Sequence, residues 1–110
     1  MSVSRYDSNG YAPSIMDTKP GTCYICGSQT ETIRHEIFFG PNRGVSKRNG
    51  LWINICPVPR CHEWVHTHLN VNVDGELIDL DLHLKRECQK KYEETHTRDE
   101  WMSLMGRNYL

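Results

Sequence analysis

The chain lacks any long apolar run and carries almost no net charge. No stretch approaches the roughly 20 apolar residues that a membrane-spanning helix needs. The first 21 residues have neither the basic start nor the apolar middle of a secretory signal peptide. We therefore expect a cytoplasmic protein that has no membrane partner. The formal charge of −1 argues against a protein that coats nucleic acid over its whole surface.

The sequence is also short of the apolar surface that a stable core requires. Its 110 residues, 37% of them hydrophobic, allow one small domain, which buries little apolar area relative to its conformational entropy cost. Five cysteines are present. Because this number is odd and no secretion signal precedes them, a metal site is a better interpretation than a framework of disulfides.

The first half of the chain predicts a flexible arm and then two strands. Residues 1–21 show no helical or strand period, so we expect a flexible N-terminal arm and assign it no role in the fold. The domain is expected to cover residues 22–110. Extended segments are predicted at 30–39 and 51–56, on either side of a glycine-rich loop at 40–50.

The second half of the chain is predicted to be mainly helical. A helix is expected at 61–68, and the Asp-Gly pair within 70–79 predicts a small hairpin. C-terminal helices fill residues 80–110. The first is predicted over 79–96 from apolar residues spaced by four, and the second begins with a capping box at 97–100.

Four of the cysteines have the spacing of a zinc site. Cys23 and Cys26 have two residues between them, as in a zinc knuckle, and Cys56 and Cys61 follow as a wider second pair. Zn²⁺ favours tetrahedral coordination by sulfur, so we predict a closed structural zinc site. The alternative is that these thiols are small buried hydrophobes, which is the interpretation we favour for Cys88 on its helical stripe.

Three of the six histidines form a second candidate site. His62 and His66 are four residues apart on a predicted helix, so both rings project from one face and can share a divalent cation. A treble-clef arrangement would bring His35 against this helix, with Glu36 as an acidic neighbour and an open face for chemistry. The alternative is that these histidines are ordinary polar residues. The fold class we predict is α+β, a small zinc-stabilised treble-clef finger with C-terminal helices.

Taken together, these motifs resemble the zinc-knuckle branch of the HNH endonucleases, which is common among phage proteins. The resemblance implies a ββα-metal finger, DNA as substrate, and the cytoplasm of a bacterial host if the protein is phage-encoded. It covers about residues 22–110, with 70–79 as an insertion. It rests on Cys23-x2-Cys26-Gly27, on Arg34-His35-Glu36-Ile37-Phe38-Phe39-Gly40, on residues 50–56, on Cys61-His62 and His66, and on the C-terminal residues 92–110.

The resemblance also implies the chemistry of the site. In this family a histidine acts as general base on a water molecule, and a divalent cation such as Mg²⁺, Mn²⁺ or Ni²⁺ stabilises the scissile phosphate. His62 and His66 match the helix ligands. Two registers are open at the first motif: His35 is the ligand and Glu36 the base, or His35 is the base and Arg34 takes the ligand position.

One family position is changed in this chain. The asparagine that the family places before the third cysteine is Leu51 here. Asn49 and Asn54 are the nearby substitutes, and Asn49 is favoured because it lies in the predicted loop.

Basic residues gather in the segment that would flank His35. Residues 34–60 have a local balance of +4, whereas residues 61–110 carry ten acids and six bases. Such residues can contact phosphates and position a duplex without reading its sequence. A solvated glycine-rich loop is the alternative. The candidate nucleic-acid contacts are Arg34, Arg43, Lys47, Arg48 and Arg60.

The leading hypothesis is a metal-dependent DNA endonuclease that hydrolyses phosphodiester bonds. The alternative is a catalytically inactive treble-clef zinc module that binds DNA or protein. Glu36 and Leu51 at motif positions favour the alternative, whereas the histidine pair and the basic segment favour the nuclease.

Overall fold

A computed structural model describes residues 6–57 and 61–110 of the chain. In these two ranges the architecture is mixed α+β, with two small antiparallel sheets and four α-helices. The elements follow in the order β1 (Ile33–Glu36), a 3₁₀ turn (Gly40–Asn42), α1 (Arg43–Asn49), β2 (Trp52–Ile55), α2 (Cys61–His66), β3 (Asn70–Val73), β4 (Glu76–Asp79), α3 (Leu80–Tyr92) and α4 (Arg98–Met105).

The sheet formed by β1 and β2 is the centre of the fold. His35 pairs with Ile53 and Glu36 pairs with Trp52. Because side chains alternate along a strand, each pair shares one face and successive pairs lie on opposite faces. The face of Ile53 and Ile55 is fully buried in the main core. This face therefore directs His35 inward, and the opposite face carries Glu36.

The N-terminal segment packs on that opposite face. Our prediction that residues 1–21 have no role in the fold is wrong for residues 11–16; residues 1–5 lie outside the described ranges. Tyr11, Ala12 and Met16 are buried, and the Trp52 indole donates a 2.8 Å hydrogen bond to the Ala12 carbonyl. The physical reason is that the outer face of β2 carries the large Trp52 ring and Asn54, and both are buried only because the N-terminal segment covers them and supplies their hydrogen-bond partners.

The connection between β1 and β2 is ordered. A loop was expected at 40–50, but the chain forms a 3₁₀ turn and then α1. The helix ends at Gly50, which has φ +72°, a left-handed conformation that glycine adopts without strain. Ser46 is fully buried, and its hydroxyl bonds both the amide and the carbonyl of Phe38. Gly50, one of the glycines that predicted a loop, therefore marks the end of α1.

Most of the predicted secondary structure of the second half is confirmed. The hairpin β3–β4 turns at Asp74 and Gly75, which both have positive φ as a two-residue type I′ turn requires. The capping box at the start of α4 is present, with Thr97 and Glu100 bonding each other's backbone amides. The helices α2 and α3 are shorter than the ranges 61–68 and 79–96 that were predicted for them.

The helices pack on the inner face of the β1–β2 sheet. Trp101 of α4 and Leu84 of α3 are buried in the same core as Ile53. The C-terminal tail is tied down as well, since the buried Gln89 side chain accepts a hydrogen bond from the Tyr109 amide. This packing brings α2 and α3 close to His35. No helix in the described part of the chain has the length and apolarity needed to cross a bilayer.

Candidate metal centres

The first centre is the cluster of Cys23, Cys26, Cys56 and Cys61. The four sulfur atoms lie within 4.8 Å of one another, and the sulfurs of Cys26 and Cys56 are 3.9 Å apart. A tetrahedral zinc site with bonds of about 2.3 Å has sulfur–sulfur separations of about 3.8 Å, whereas a disulfide bond is about 2.05 Å long. The cluster therefore has the geometry to hold one metal ion.

Tight turns position these sulfurs. The Cys26 amide points at the sulfur of Cys23 and the Cys61 amide points at that of Cys56, both at 3.5 Å. The first turn is closed by a hydrogen bond from Gly27 to the Cys23 carbonyl, and Gly27 has φ +75°. Amides placed in this way stabilise the thiolate form that a metal requires.

The cysteines differ in their ionisation. Hydrogen bonds with Ser28 lower the pKa of Cys26 to about 6, whereas burial raises the pKa of Cys61. Cys26 is therefore the readier of the two to give up its proton to a metal ion, and Cys61 the less ready. Cys88 lies outside this cluster and is fully buried in the core, which confirms its interpretation as a small hydrophobe.

The second centre is formed by His35, His62 and His66. One nitrogen of each ring lies within 4.8 Å of the others. The Nε2 atoms of His62 and His66 are 3.0 Å apart, because a spacing of four residues puts both rings on one face of α2. His35 comes from β1, so two elements that are distant in sequence supply the three rings.

The environment of His35 fits a metal ligand. The residue is 3% exposed, and its buried Nε2 atom has no hydrogen-bond partner in the described structure. Burial, with smaller effects of His66 and His62, lowers the pKa of His35 to about 4. Burial also lowers the pKa of His62. An unpaired buried nitrogen is costly, and a cation would satisfy it.

Glu36 does not belong to this group, although the sequence interpretation placed it beside His35 as an acidic neighbour. The Glu36 carboxylate bonds the Tyr11 hydroxyl at 2.6 Å and the Arg43 guanidinium at 2.9 Å, because it leaves β1 on the face opposite His35. Burial raises the pKa of Glu36, but these hydrogen bonds outweigh that effect and lower it overall. The Asn49 amide is bonded within α1, to the Val45 carbonyl.

Two of the proposed phosphate contacts are occupied by protein groups. Arg34 pairs with Asp7 at 2.6 Å and stacks on the rings of Tyr11 and Trp52, and Arg43 is bonded to Glu36 as described above.

The remaining predicted contacts are less engaged. Lys47 lies 4.9 Å from the centre of the Tyr11 ring, and Arg48 is exposed on α1. Arg60 lies outside the described residues. The basic segment is therefore less available to a duplex than its composition suggests.

An ion pair near the histidines was missed from the sequence. Lys85 Nζ lies 2.7 Å from the Asp81 carboxylate and 5.2 Å from the centre of the Phe39 ring. The Phe39 ring in turn is 5.5 Å from His66 and 6.2 Å from His35, measured between ring centres. The spacing of four between Asp81 and Lys85 was a visible signal of pairing, but it did not reveal the neighbouring histidines.

Comparisons with protein-family models, with curated proteins and with solved structures find no match for this chain.

Proposed function

We propose that this protein is a metal-dependent DNA endonuclease of the HNH type. In this proposal Cys23, Cys26, Cys56 and Cys61 hold a structural zinc ion in a treble-clef finger. The catalytic divalent cation is held by His35, His62 and His66, and DNA is the substrate.

The observation that carries the proposal is the meeting of three imidazoles, one of them the buried ring of His35, whose Nε2 atom has no hydrogen-bond partner in the described structure. Two of these imidazoles have lowered pKa values, which favours neutral rings with lone pairs available at pH 7. Neutral imidazoles suit transition-metal cations. A bound divalent cation would neutralise charge that develops on a phosphate and lower the pKa of a water molecule.

The same observations favour the ligand role for His35. A general base works best when its pKa is close to the operating pH, and a pKa of about 4 makes His35 a weak base. Glu36 is a weak base too, because hydrogen bonds lower its pKa. We therefore assign His35 to cation binding. Neither His35 nor Glu36 is assigned the role of general base.

The engaged side chains of Glu36 and Asn49 favour a second candidate function. A finger in which these groups serve the fold could retain zinc and bind DNA or protein without cleaving it. This is the catalytically inactive module of the alternative hypothesis.

A plasmid-nicking assay separates the two functions. Zinc-loaded protein is incubated with supercoiled plasmid and Mg²⁺, Mn²⁺ or Ni²⁺. The test variant is His62→Ala, because His62 is only partly buried and its loss should leave the core intact. The matched control is His83→Ala on α3, a partly buried histidine outside the cluster.

We expect the parent and His83→Ala to nick the plasmid. His62→Ala should lose more than the roughly 10- to 100-fold that removal of an outer-sphere partner typically costs. If none of the three cations supports nicking by zinc-loaded parent, the binding-module function replaces the nuclease. Equal nicking by His62→Ala and the parent would refute the histidine site itself.

A further inference from the structure

The pair formed by Asp81 and Lys85 is unusually buried for an ion pair on a helix. The exposed fractions of the two side chains are 8% for Asp81 and 20% for Lys85. One carboxylate oxygen of Asp81 accepts from Lys85, and the other is buried with no hydrogen-bond partner in the described structure. Lys85 has three N–H donors, of which the hydrogen bond to Asp81 uses one.

Stability does not account for this pair. Burying two charges costs several kcal/mol per ion, and a buried pair is often no more stable than apolar residues of similar size. A carboxylate oxygen without a partner makes the balance worse. The arrangement instead holds the Lys85 ammonium group at a defined place, with N–H donors that the hydrogen bond to Asp81 does not use.

That place adjoins the histidine centre. Phe39 is the common neighbour, because the centre of its ring lies 5.2 Å from the Lys85 ammonium and 5.5 Å and 6.2 Å from the ring centres of His66 and His35. Phe39 itself is 42% exposed, so this side of the centre is open to a ligand.

We propose that Lys85, oriented by Asp81, donates a hydrogen bond to a non-bridging oxygen of a DNA phosphate beside the three-histidine centre. This inference rests on the proposed nuclease function, since it names a substrate contact of the same site. An ammonium group is a common phosphate ligand. Because a DNA strand carries successive phosphates, one phosphate can bind the cation while a neighbouring phosphate binds Lys85. Asp81 is a positioning residue in this arrangement.

The test compares binding with cleavage. A short labelled duplex is titrated with zinc-loaded protein at several salt concentrations, with Ca²⁺ present, and nicking is measured in parallel with the active cation. Lys85→Met keeps the apolar stem and removes the charge. Lys90→Met is the matched control, because Lys90 is an exposed lysine on the same helix.

We expect Lys85→Met to weaken duplex binding and to lower kcat/KM by about 10- to 100-fold, the range for one charge-assisted hydrogen bond. The slope of log affinity against log salt should fall by about 1, as for one lost phosphate contact. Lys90→Met should leave both unchanged, and Lys85→Arg should restore part of the loss. Equal behaviour of Lys85→Met and Lys90→Met would overturn the proposal.

A second variant separates lost contact from damaged folding. Lys85→Met leaves Asp81 as an unpaired buried charge, so the double variant Asp81→Asn, Lys85→Met removes that charge as well. It should bind DNA as weakly as Lys85→Met, and recovery to the parent's affinity would refute the phosphate contact. If the parent binds the duplex without nicking and only the Lys85 variants bind weakly, the nuclease function fails while the contact stands. A parent that does not bind DNA overturns both.

Discussion

Replacing Gly50 by alanine tests whether the N-terminal segment is a structural part of the domain. Gly50 ends α1 with φ +72°. A Cβ atom at this position would lie 2.1 Å from the carbonyl oxygen of Pro13 and 3.2 Å from the amide nitrogen of Ile15. Both atoms belong to the backbone of the packed segment, so a flexible side chain cannot yield to make room.

Gly106 provides a matched control. It ends α4 with φ +74°, nearly the same conformation, but a Cβ atom there would meet nothing within 4 Å. Alanine at either position costs about 1 to 2 kcal/mol for the left-handed backbone. At Gly50 the clash adds about 1 to 3 kcal/mol, the usual cost of overpacking.

The expected losses of unfolding free energy are therefore about 1 to 2 kcal/mol for Gly106→Ala and about 2 to 5 kcal/mol for Gly50→Ala. Urea unfolding of the zinc-loaded proteins, followed by tryptophan fluorescence, measures both. Trp52 lies under the segment and bonds the Ala12 carbonyl, so Gly50→Ala should also shift the native emission to longer wavelength. If Gly50→Ala costs no more than Gly106→Ala and leaves the emission unchanged, the packing of residues 11–16 on the sheet is refuted.

Three further predictions concern the metal sites and the first sheet. Cys61→Ser should lose the single tightly bound zinc measured by elemental analysis, whereas Cys88→Ser should keep it; zinc retained by Cys61→Ser would contradict the four-cysteine site. Because burial lowers the pKa of His35 to about 4 from about 6.5 in the unfolded chain, folding holds its ring neutral. When the pH is lowered from 7.5 to 5 without added divalent cation, the unfolding free energy of the parent should therefore fall by about 2 kcal/mol more than that of His35→Gln. Equal decreases in urea titrations of the two proteins would contradict the burial of His35. Ser46→Ala should cost about 1 to 3 kcal/mol, because it leaves the Phe38 backbone groups unpaired, and a thermal or urea unfolding curve that matches the parent would argue against that buried contact.

The local features of this protein follow from short stretches of sequence. The hairpin is predicted by the Asp74-Gly75 pair between two alternating segments, because both residues can adopt positive φ. The start of α4 is predicted by Thr97 and Glu100, which satisfy each other's backbone groups. These signals succeed because every interacting atom lies within a few residues.

The cysteine cluster was also predicted from its spacing, although its two halves are distant in the chain. The reason is chemical: thiolates in two pairs have few stable arrangements in a domain with little core, and shared coordination of one ion is the most favourable. The structure adds the sulfur separations and the amides that point at the sulfurs.

Local sequence patterns therefore account for most of the secondary-structure elements, though not for α1, and for the groups able to bind metal, including His62 and His66 on one turn of α2. Which side chains meet depends on long-range packing. His35 and Glu36 are neighbours with equal claims in the sequence, and the packing of one face of β1 against the core directs His35 to α2 and Glu36 to Arg43. The docking of residues 11–16 on the sheet likewise depends on long-range burial, which no local pattern encodes, because the free energy of such contacts comes from surfaces that exist only after the chain has folded.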